Sequence, residues 1–406
     1  MKVVQINLTA RQGGTGRVCY GIAQALNANE IENYTLYVSG KPQLKNEINY
    51  SKGNERRLEA LKSRLLGNYG FNSRAMTKRL ISHLEEIKPD IIHLHNLHAH
   101  NVNLKMLFEY FKKNPQIKLY WTFHDLWAFT GYCPYFEMVG CEKWKSGCGN
   151  CPQRKQFSWL FDKSRSLYNK KRELFSGLNL KIIAPSNYIA NMARESFFKE
   201  YDIKVINNGV DLDVFKPTES DFREKHSLKD KYIVLGVAIN WEMRKGLNTF
   251  IELSKELPEG YQIVLVGTNN EIDKSLPSNI ISIHKTESIK ELKEIYTASD
   301  VLLNPTLEEA FGMVNIESLA CGTPVITYNS GGSPECINKS CGIVVEKYDL
   351  KAVKEAVIHI CEDKPFTSEA CIEGAKAFDK NITFEKYIGI YTNESNFTND
   401  QGDLNE

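Results

Sequence analysis

No apolar run in this chain approaches the roughly 20 residues that a membrane-spanning helix requires. The opening Met1-Lys-Val-Val-Gln-Ile-Asn-Leu8 is too short, and too soon interrupted by Arg11, for a secretory signal, so it reads as a first β-strand in a cytoplasmic chain. Charge of one sign is lacking as well: the formal net charge is +1 over 406 residues, and no global field favours nucleic acid. A complete dinucleotide fingerprint is missing, because Gly13-Gly-Thr-Gly16 lacks the further glycine that Gly-x-Gly-x-x-Gly demands. As it stands, that run reads equally as a tight turn or as a ligand loop between a strand and a helix. No carboxylate or thiol lies within the stretch that holds His93, His95, His98 and His100, so these histidines read as polar lining at a strand's carboxyl end and not as a metal site.

What the sequence does contain is enough apolar material, 42% of residues, for two cores, and the length suits two domains. Of ten cysteines, six are scattered and four fall close together as Cys133, Cys141, Cys148 and Cys151. With no export signal, reduced thiols are the default. The Cys-x-x-Cys spacing of the last two, with Gly149 between them, suits a structural zinc; free or redox-active thiols are the other reading, and four thiolates would leave no open position for catalysis. Residues 41 to 80 form the one strongly basic stretch. Leu58, Leu61, Leu65, Leu66 and Phe71 are interleaved with its cations, a pattern that fits either a solvated helix or contact with an anionic bilayer. Residues 153 to 177 read as a second basic helical excursion with Trp159, Leu160, Leu167, Leu174 and Phe175 on its apolar side.

Strand and helix patterns alternate along the chain and then restart after Asp211-Leu-Asp213, which reads as a linker, so the fold class is α/β with two doubly wound, Rossmann-like domains. The Leu119 to Phe123 strand ends in His124-Asp125, placing His124 where substrates gather in such sheets. In the second series Arg244 and Lys245 occupy a strand-to-helix loop suited to phosphate oxygens, and Gly267 ends another strand. The most informative stretch is Asn304-Pro-Thr-Leu-Glu-Glu-Ala-Phe-Gly-Met-Val-Asn-Ile-Glu317. It places Glu309 on a loop, Glu317 inside a helix, and the amides of Phe311, Gly312 and Met313 at the helix N-terminus between them, an anion site flanked by two acids. A diphosphate carrying a polyhydroxyl group fits that arrangement; two acids on a solvated face fit the spacing equally.

Taken together with Asn208-Gly-Val-Asp211, Lys245-Gly246, Cys321-Gly-Thr-Pro-Val-Ile and Gly331-Gly-Ser-Pro-Glu335, this Glu-x7-Glu stretch resembles the family-4 retaining glycosyltransferases of GT-B architecture, over Met1 to about Ile390. The cysteine segment with Trp121-Thr-Phe-His-Asp125 is similar to a subgroup acting in capsule and exopolysaccharide assembly. The resemblance implies two domains facing a central cleft. Residues 1–208 would be on the acceptor side, with a cysteine-rich insertion at 133–151, and 209–378 would bind the nucleotide sugar. A helix at 379–393 would cross back to the first domain, and the polar, acidic 394–406 would be a disordered tail. The resemblance also implies that Glu309 binds donor-sugar hydroxyls, that Phe311 and Gly312 touch sugar and diphosphate, and that Glu317 holds the ribose. Lys245, aided by Arg244, would neutralise the leaving diphosphate, Gly13 and Gly14 would close on it, and His98 and His124 would line the acceptor side. Many members carry Arg where this chain has Asn240. The implied activity is metal-independent, retaining transfer from a nucleotide sugar to a glycan or polyprenyl-linked acceptor, at the inner face of the membrane. A nucleotide-sugar epimerase and a non-catalytic sugar-nucleotide scaffold are the alternatives.

Overall fold

A computed structural model describes residues 1–98, 100–393 and 397. The expected tail at 394–406 therefore lies outside the described residues, Phe397 apart. The chain divides into two compact units, Met1–Asn207 together with the segment from Thr383 onward, and Asn208–Ile382.

The first unit is built on seven parallel strands: β1 (Lys2–Ile6), β2 (Glu32–Tyr37), β3 (Glu47–Asn49), β4 (Ile91–Leu94), β5 (Lys118–Thr122), β6 (Leu180–Ala184) and β7 (Ile203–Val205), in the order 3-2-1-4-5-6-7. Val3, Val4 and Ile6, like all four residues of β4, are buried, as befits strands covered by helices on both faces. Helix α1 (Gly13–Ala28) seats Val18, Cys19, Ile22 and Leu26 in the core. It starts earlier than apolar periodicity suggests: Gly13 and Gly14 are its first residues, and Gly16 lets its first turn press on the preceding loop, where a Cβ would meet the Arg11 backbone at 2.7 Å.

The basic stretch is not one helix. It breaks into α2 (Glu55–Leu66) and α3 (Arg74–Ile87), because Gly67 takes a left-handed φ of +65° and ends the first. Met76, Leu80, Leu84 and Ile87 of α3 are buried, whereas on α2 only Ser63 is. The expected excursion at 153 to 177 is likewise broken: a single turn at Arg154–Phe157 is followed by irregular chain and then a helix at Ser164–Phe175. Leu167 and Phe175 pack inward, but Trp159 and Leu160 lie on the irregular piece and face solvent.

The second unit carries β8 (Tyr232–Val237), β9 (Tyr261–Val266), β10 (Ile280–Ile283), β11 (Val301–Asn304), β12 (Val325–Tyr328) and β13 (Gly342–Val345), all parallel, in the order 10-9-8-11-12-13. Helix α4 (Met313–Ala320) follows β11 and buries Ile316, Leu319 and Ala320 against the core that contains Leu235, Leu302 and Val325. The last helix, α5 (Lys380–Thr392), contributes Phe384, Tyr387, Ile388, Ile390 and Tyr391 to the core of the first unit, beside Val3, Ile22 and Ile91. Among the described residues no helix is long and apolar enough to cross a membrane.

Candidate functional site

The residues singled out in the second unit come together at the carboxyl ends of β8, β11 and β12. From β11 the chain runs through Pro305 to Gly312 and enters α4 with Gly312 as its cap at φ +112°. Glu309 stands on that loop. Lys245 forms an ion pair with its carboxylate, Arg244 Nη1 lies 3.9 Å from the same Oε2, and Arg244 also donates to the Glu308 carbonyl at 2.7 Å. Burial would raise the Glu309 pKa, but the two cations and the Ala310 backbone outweigh it and hold the carboxyl below its usual value. Adjacent Arg244 and Lys245 thus serve one centre, which spacing alone did not reveal. Asn240, where a resemblance to the family leads one to expect Arg, hydrogen-bonds Glu242 on the surface.

Backbone contacts fix these side chains. The Leu307 N–H donates to the Arg244 carbonyl at 2.8 Å, joining the β8 and β11 loops. Gly246 has φ +73°, and a Cβ there would lie 2.1 Å from the Pro305 carbonyl. Gly331, at φ +59°, would press a Cβ to 2.1 Å from the Glu309 carbonyl, which in turn accepts the Gly332 N–H at 2.9 Å. The buried Ser330 hydroxyl on that same loop has no hydrogen-bond partner among the described residues. Gly267, at φ +91°, would bring a Cβ to 1.6 Å from the Ala238 carbonyl, where β9 ends beside β8.

The Phe311 side chain belongs to the core, its ring 5.5 Å from Phe378, so only its backbone can meet a ligand; Met313 is half-buried at the start of α4. Glu317 is 2% exposed and accepts a hydrogen bond from Tyr296 Oη at 3.1 Å, which rules out the solvated-face reading of its spacing. A buried polar network escaped the sequence reading. Asn304 Nδ2 donates to Asn315 Oδ1 (2.8 Å), Asn315 Nδ2 to Ser333 Oγ (2.9 Å), and Ser333 meets Thr327 (2.7 Å), tying the start of α4 to β11, β12 and the Gly331 loop. Buried amides and hydroxyls such as these carry no signal in the sequence, because their partners come together only in the fold.

Of the histidines expected to line the strand end in the first unit, His93 and His95 are buried instead. His93 is fully buried, held by Tyr391 through Nδ1 and by Thr122 through Nε2. His95 is buried between Gln5 and His124, each at 3.0 Å. His124 itself is 9% exposed with one ring nitrogen committed to His95; burial pulls its pKa down to about 4 and that of His93 to about 3, so both rings are neutral near pH 7. The more open pair is His98 and Asp125. His98 Nε2 and Asp125 Oδ2 are 2.7 Å apart, Tyr69 Oη meets His98 Nδ1 at 3.3 Å, and Asp125 Oδ1 accepts the Trp127 N–H at 2.9 Å. Burial would raise the Asp125 pKa, yet His98 beside it holds the carboxyl low. Gly13 and Gly14 begin α1 with open space around them.

Cys133, Cys141, Cys148 and Cys151 all line one small cavity walled by Phe136 and Trp144. Cys133 and Cys151 are hydrogen-bonded to each other, and Cys148 Sγ accepts the Gly131 N–H at 3.2 Å. Among the described residues no group of three or more His, Cys, Asp or Glu side chains closes on one metal position.

Residues 12–214 match the model of "Glycosyltransferase Family 4" and residues 218–378 that of "Glycosyl transferases group 1". A protein of Escherichia coli strain K12 named for colanic acid biosynthesis, the glycosyl transferase WcaC, is 23% identical over 97% of this chain and 100% of its own length. The capsular polysaccharide biosynthesis glycosyltransferase CapM of Staphylococcus aureus is 28% identical, over 48% of this chain and 56% of its own. Among solved structures, sucrose-phosphate synthase of Thermosynechococcus elongatus superposes with a TM-score of 0.73 at 18% identity, covering 96% of this chain and 98% of that one. WaaG, a glycosyltransferase involved in lipopolysaccharide biosynthesis, gives 0.67 at 18%, over 96% and 99%. Anabaena Alr3699/HepE, solved in complex with UDP and glucose, gives 0.68 at 14%, over 97% and 99%. The fold is therefore that of GT-B glycosyltransferases.

Proposed function

Since the chain belongs to glycosyltransferase family 4, we propose that it moves a sugar, with retention of anomeric configuration, from a nucleoside-diphosphate sugar to a glycan or lipid-linked acceptor in cell-surface polysaccharide assembly. The observation that carries this reading is the convergence of Lys245 and Arg244 on Glu309 beside the N-terminus of α4. Charge develops on the diphosphate as the glycosidic bond breaks. Fixed cations and free helix amides stabilise it there without reorganising, and need no metal ion to do so. The Lys245 ammonium has three donors, so it can keep Glu309 and still reach a phosphate oxygen. On this reading Glu309, held ionised by its two cations, accepts from sugar hydroxyls, and the buried Glu317 takes the ribose on exchanging its bond to Tyr296.

On the acceptor side, His98 paired with the ionised Asp125 is the group best suited to orient an incoming hydroxyl, and His124, sequestered against His95, supports the strand end on which Asp125 rides. Names of relatives support the polysaccharide context: WcaC and CapM are both named for cell-surface polysaccharides. Incubation of the purified chain with a panel of nucleotide sugars and lipid-linked acceptors, with the anomeric configuration of the product read by NMR, tests the reading. Retained configuration, with activity surviving chelator, is expected. An inverted product, or epimerised donor formed with no acceptor present, would overturn it.

The four thiols are proposed as a structural zinc site. Tetrathiolate is zinc's preferred closed donor set, and the backbone N–H to Cys148 is the kind of bond that steadies a thiolate ligand. The support for it is that all four thiols line one small cavity. About one zinc per chain is expected in protein purified without chelator, and its loss in a Cys148→Ser, Cys151→Ser variant; chains free of stoichiometric zinc would refute the assignment.

A further inference from the structure

Seven of the sixteen large apolar side chains that stand exposed on the described surface fall in one place. Leu58, Leu61, Leu65 and Leu66 project from α2, between 39% and 57% exposed, and Trp159, Leu160 and Phe161 are 48%, 62% and 54% exposed. The two segments are far apart in sequence but form a single face of the first unit. The Trp159 N–H donates to the Arg64 carbonyl at 2.8 Å, and the Arg64 guanidinium lies 5.9 Å from the Trp159 ring. Tyr132 Oη bridges the Gly67 and Phe161 carbonyls at 3.2 and 3.4 Å, clamping the end of α2 to the apolar loop. Around the rim stand Arg57, Lys62, Arg64 and Lys155, all exposed, with Arg154 holding the Trp159 carbonyl at 2.9 Å. The nearest acids are occupied: Asp162 accepts the Cys151 and Ser164 amides, and Glu59 pairs with Lys62.

Contiguous exposed apolar surface of this kind is rare on a protein that stays in water. Its occupant can be read from the rim. Arg57, Arg64 and Lys155, with Lys62 paired to Glu59, around a leucine row and a Trp-Leu-Phe tip match an anionic bilayer, where aromatic rings settle at headgroup depth, leucines enter the acyl boundary, and nearby cations add attraction to the anionic headgroups. The tip sits in a clamped loop, so little ordering entropy opposes insertion.

We propose that this face docks the first unit onto an anionic lipid surface, with Trp159, Leu160 and Phe161 as the inserted wedge and α2 lying flat in the interface. The inference rests on the geometry of the face and not on the donor chemistry proposed above, so the two can fail separately. It is tested by flotation of the full chain with phosphatidylglycerol-containing vesicles and with pure phosphatidylcholine vesicles. Binding to the anionic vesicles, weakened by salt, is expected. A Trp159→Ser, Leu160→Ser, Phe161→Ser variant, whose changed side chains are exposed, should melt as the parent does and partition at least tenfold less. A Leu61→Glu, Leu65→Glu variant should do the same through the helix. Flotation of parent and both variants to equal extent would overturn the proposal. So would failure of the parent to float, or a parent dimer in solution that the wedge variant dissolves while vesicle binding is nil.

Discussion

At the scale of single residues, Lys245 has the largest assigned task. If the proposed role holds, replacing it with Ala removes the cation nearer to Glu309 from the diphosphate site, and loss of one preorganised group of this kind costs about 3 kcal/mol, some two decades in kcat/KM. Glu309 keeps Arg244 at 3.9 Å and the Ala310 amide, so the melting temperature should move little. Steady-state kinetics beside a thermal melt separate the two effects, and near-parental turnover would remove Lys245 from the site. Residue identity is also where the sequence was most informative. Glu309, Gly312 and Lys245 stood out because acids, a glycine and a lysine at loop positions have few structural uses. Asn315, Ser333 and Thr327 did not, because the worth of a buried hydroxyl or amide depends on a partner that only the fold supplies.

Elements turn those residues into a site, and their constraints are steric and electrostatic. Gly331→Ala would place a methyl group 2.1 Å from the Glu309 carbonyl in a left-handed backbone, so the loop must shift. A displacement of about 1 Å at the Glu309 carboxylate predicts a loss of tenfold to a hundredfold in kcat/KM, with the unit still folded by circular dichroism. Strand β4 carries a different constraint in His93 and His95, with His124 packed against them. All three rings have folded pKa values below the ordinary 6.5, so the unfolded chain binds more protons than the native one once pH drops under that value. Their contribution to stability is intact above about 6.5 and is lost as pH falls towards 4, at up to about 1.4 kcal/mol per pH unit per ring. Chemical denaturation from pH 7.5 to 5 should show that decline, and His93→Gln should make it shallower. The sequence placed these histidines at a strand's carboxyl end, but it could not show that His93 there meets α5, whose Tyr391 arrives from the far end of the chain.

For the whole molecule, the two series of alternating strands and helices were legible because parallel strands buried on both faces read as short continuous apolar runs. Helix breaks were not: Gly67 and the irregular chain around Trp159 interrupt patterns that periodicity alone carries through. Nor does local pattern show which core a terminal helix joins. Phe384, Tyr387, Ile388, Ile390 and Tyr391 lie in the first unit's core, and each such side chain contributes roughly 1.5–3 kcal/mol on burial. A chain ended at residue 382 should therefore lose more than a typical unit's margin of stability. Rapid proteolysis of residues 1–207 is expected, and resistance equal to the parent's would contradict it.

The second unit shows the opposite economy. Its first and last strands of backbone are fastened to each other: Val210 donates to the Phe378 carbonyl and receives the Lys380 N–H, each at 2.8 Å, and Asp211 pairs with the Lys380 ammonium at 2.6 Å. A segment whose two ends are already sewn together can be lifted out and exchanged as one piece. Residues 208–382 make up such a cassette, and under the donor assignment proposed above, grafting it between relatives is expected to carry sugar-donor preference across, read as a change in the nucleotide sugar consumed.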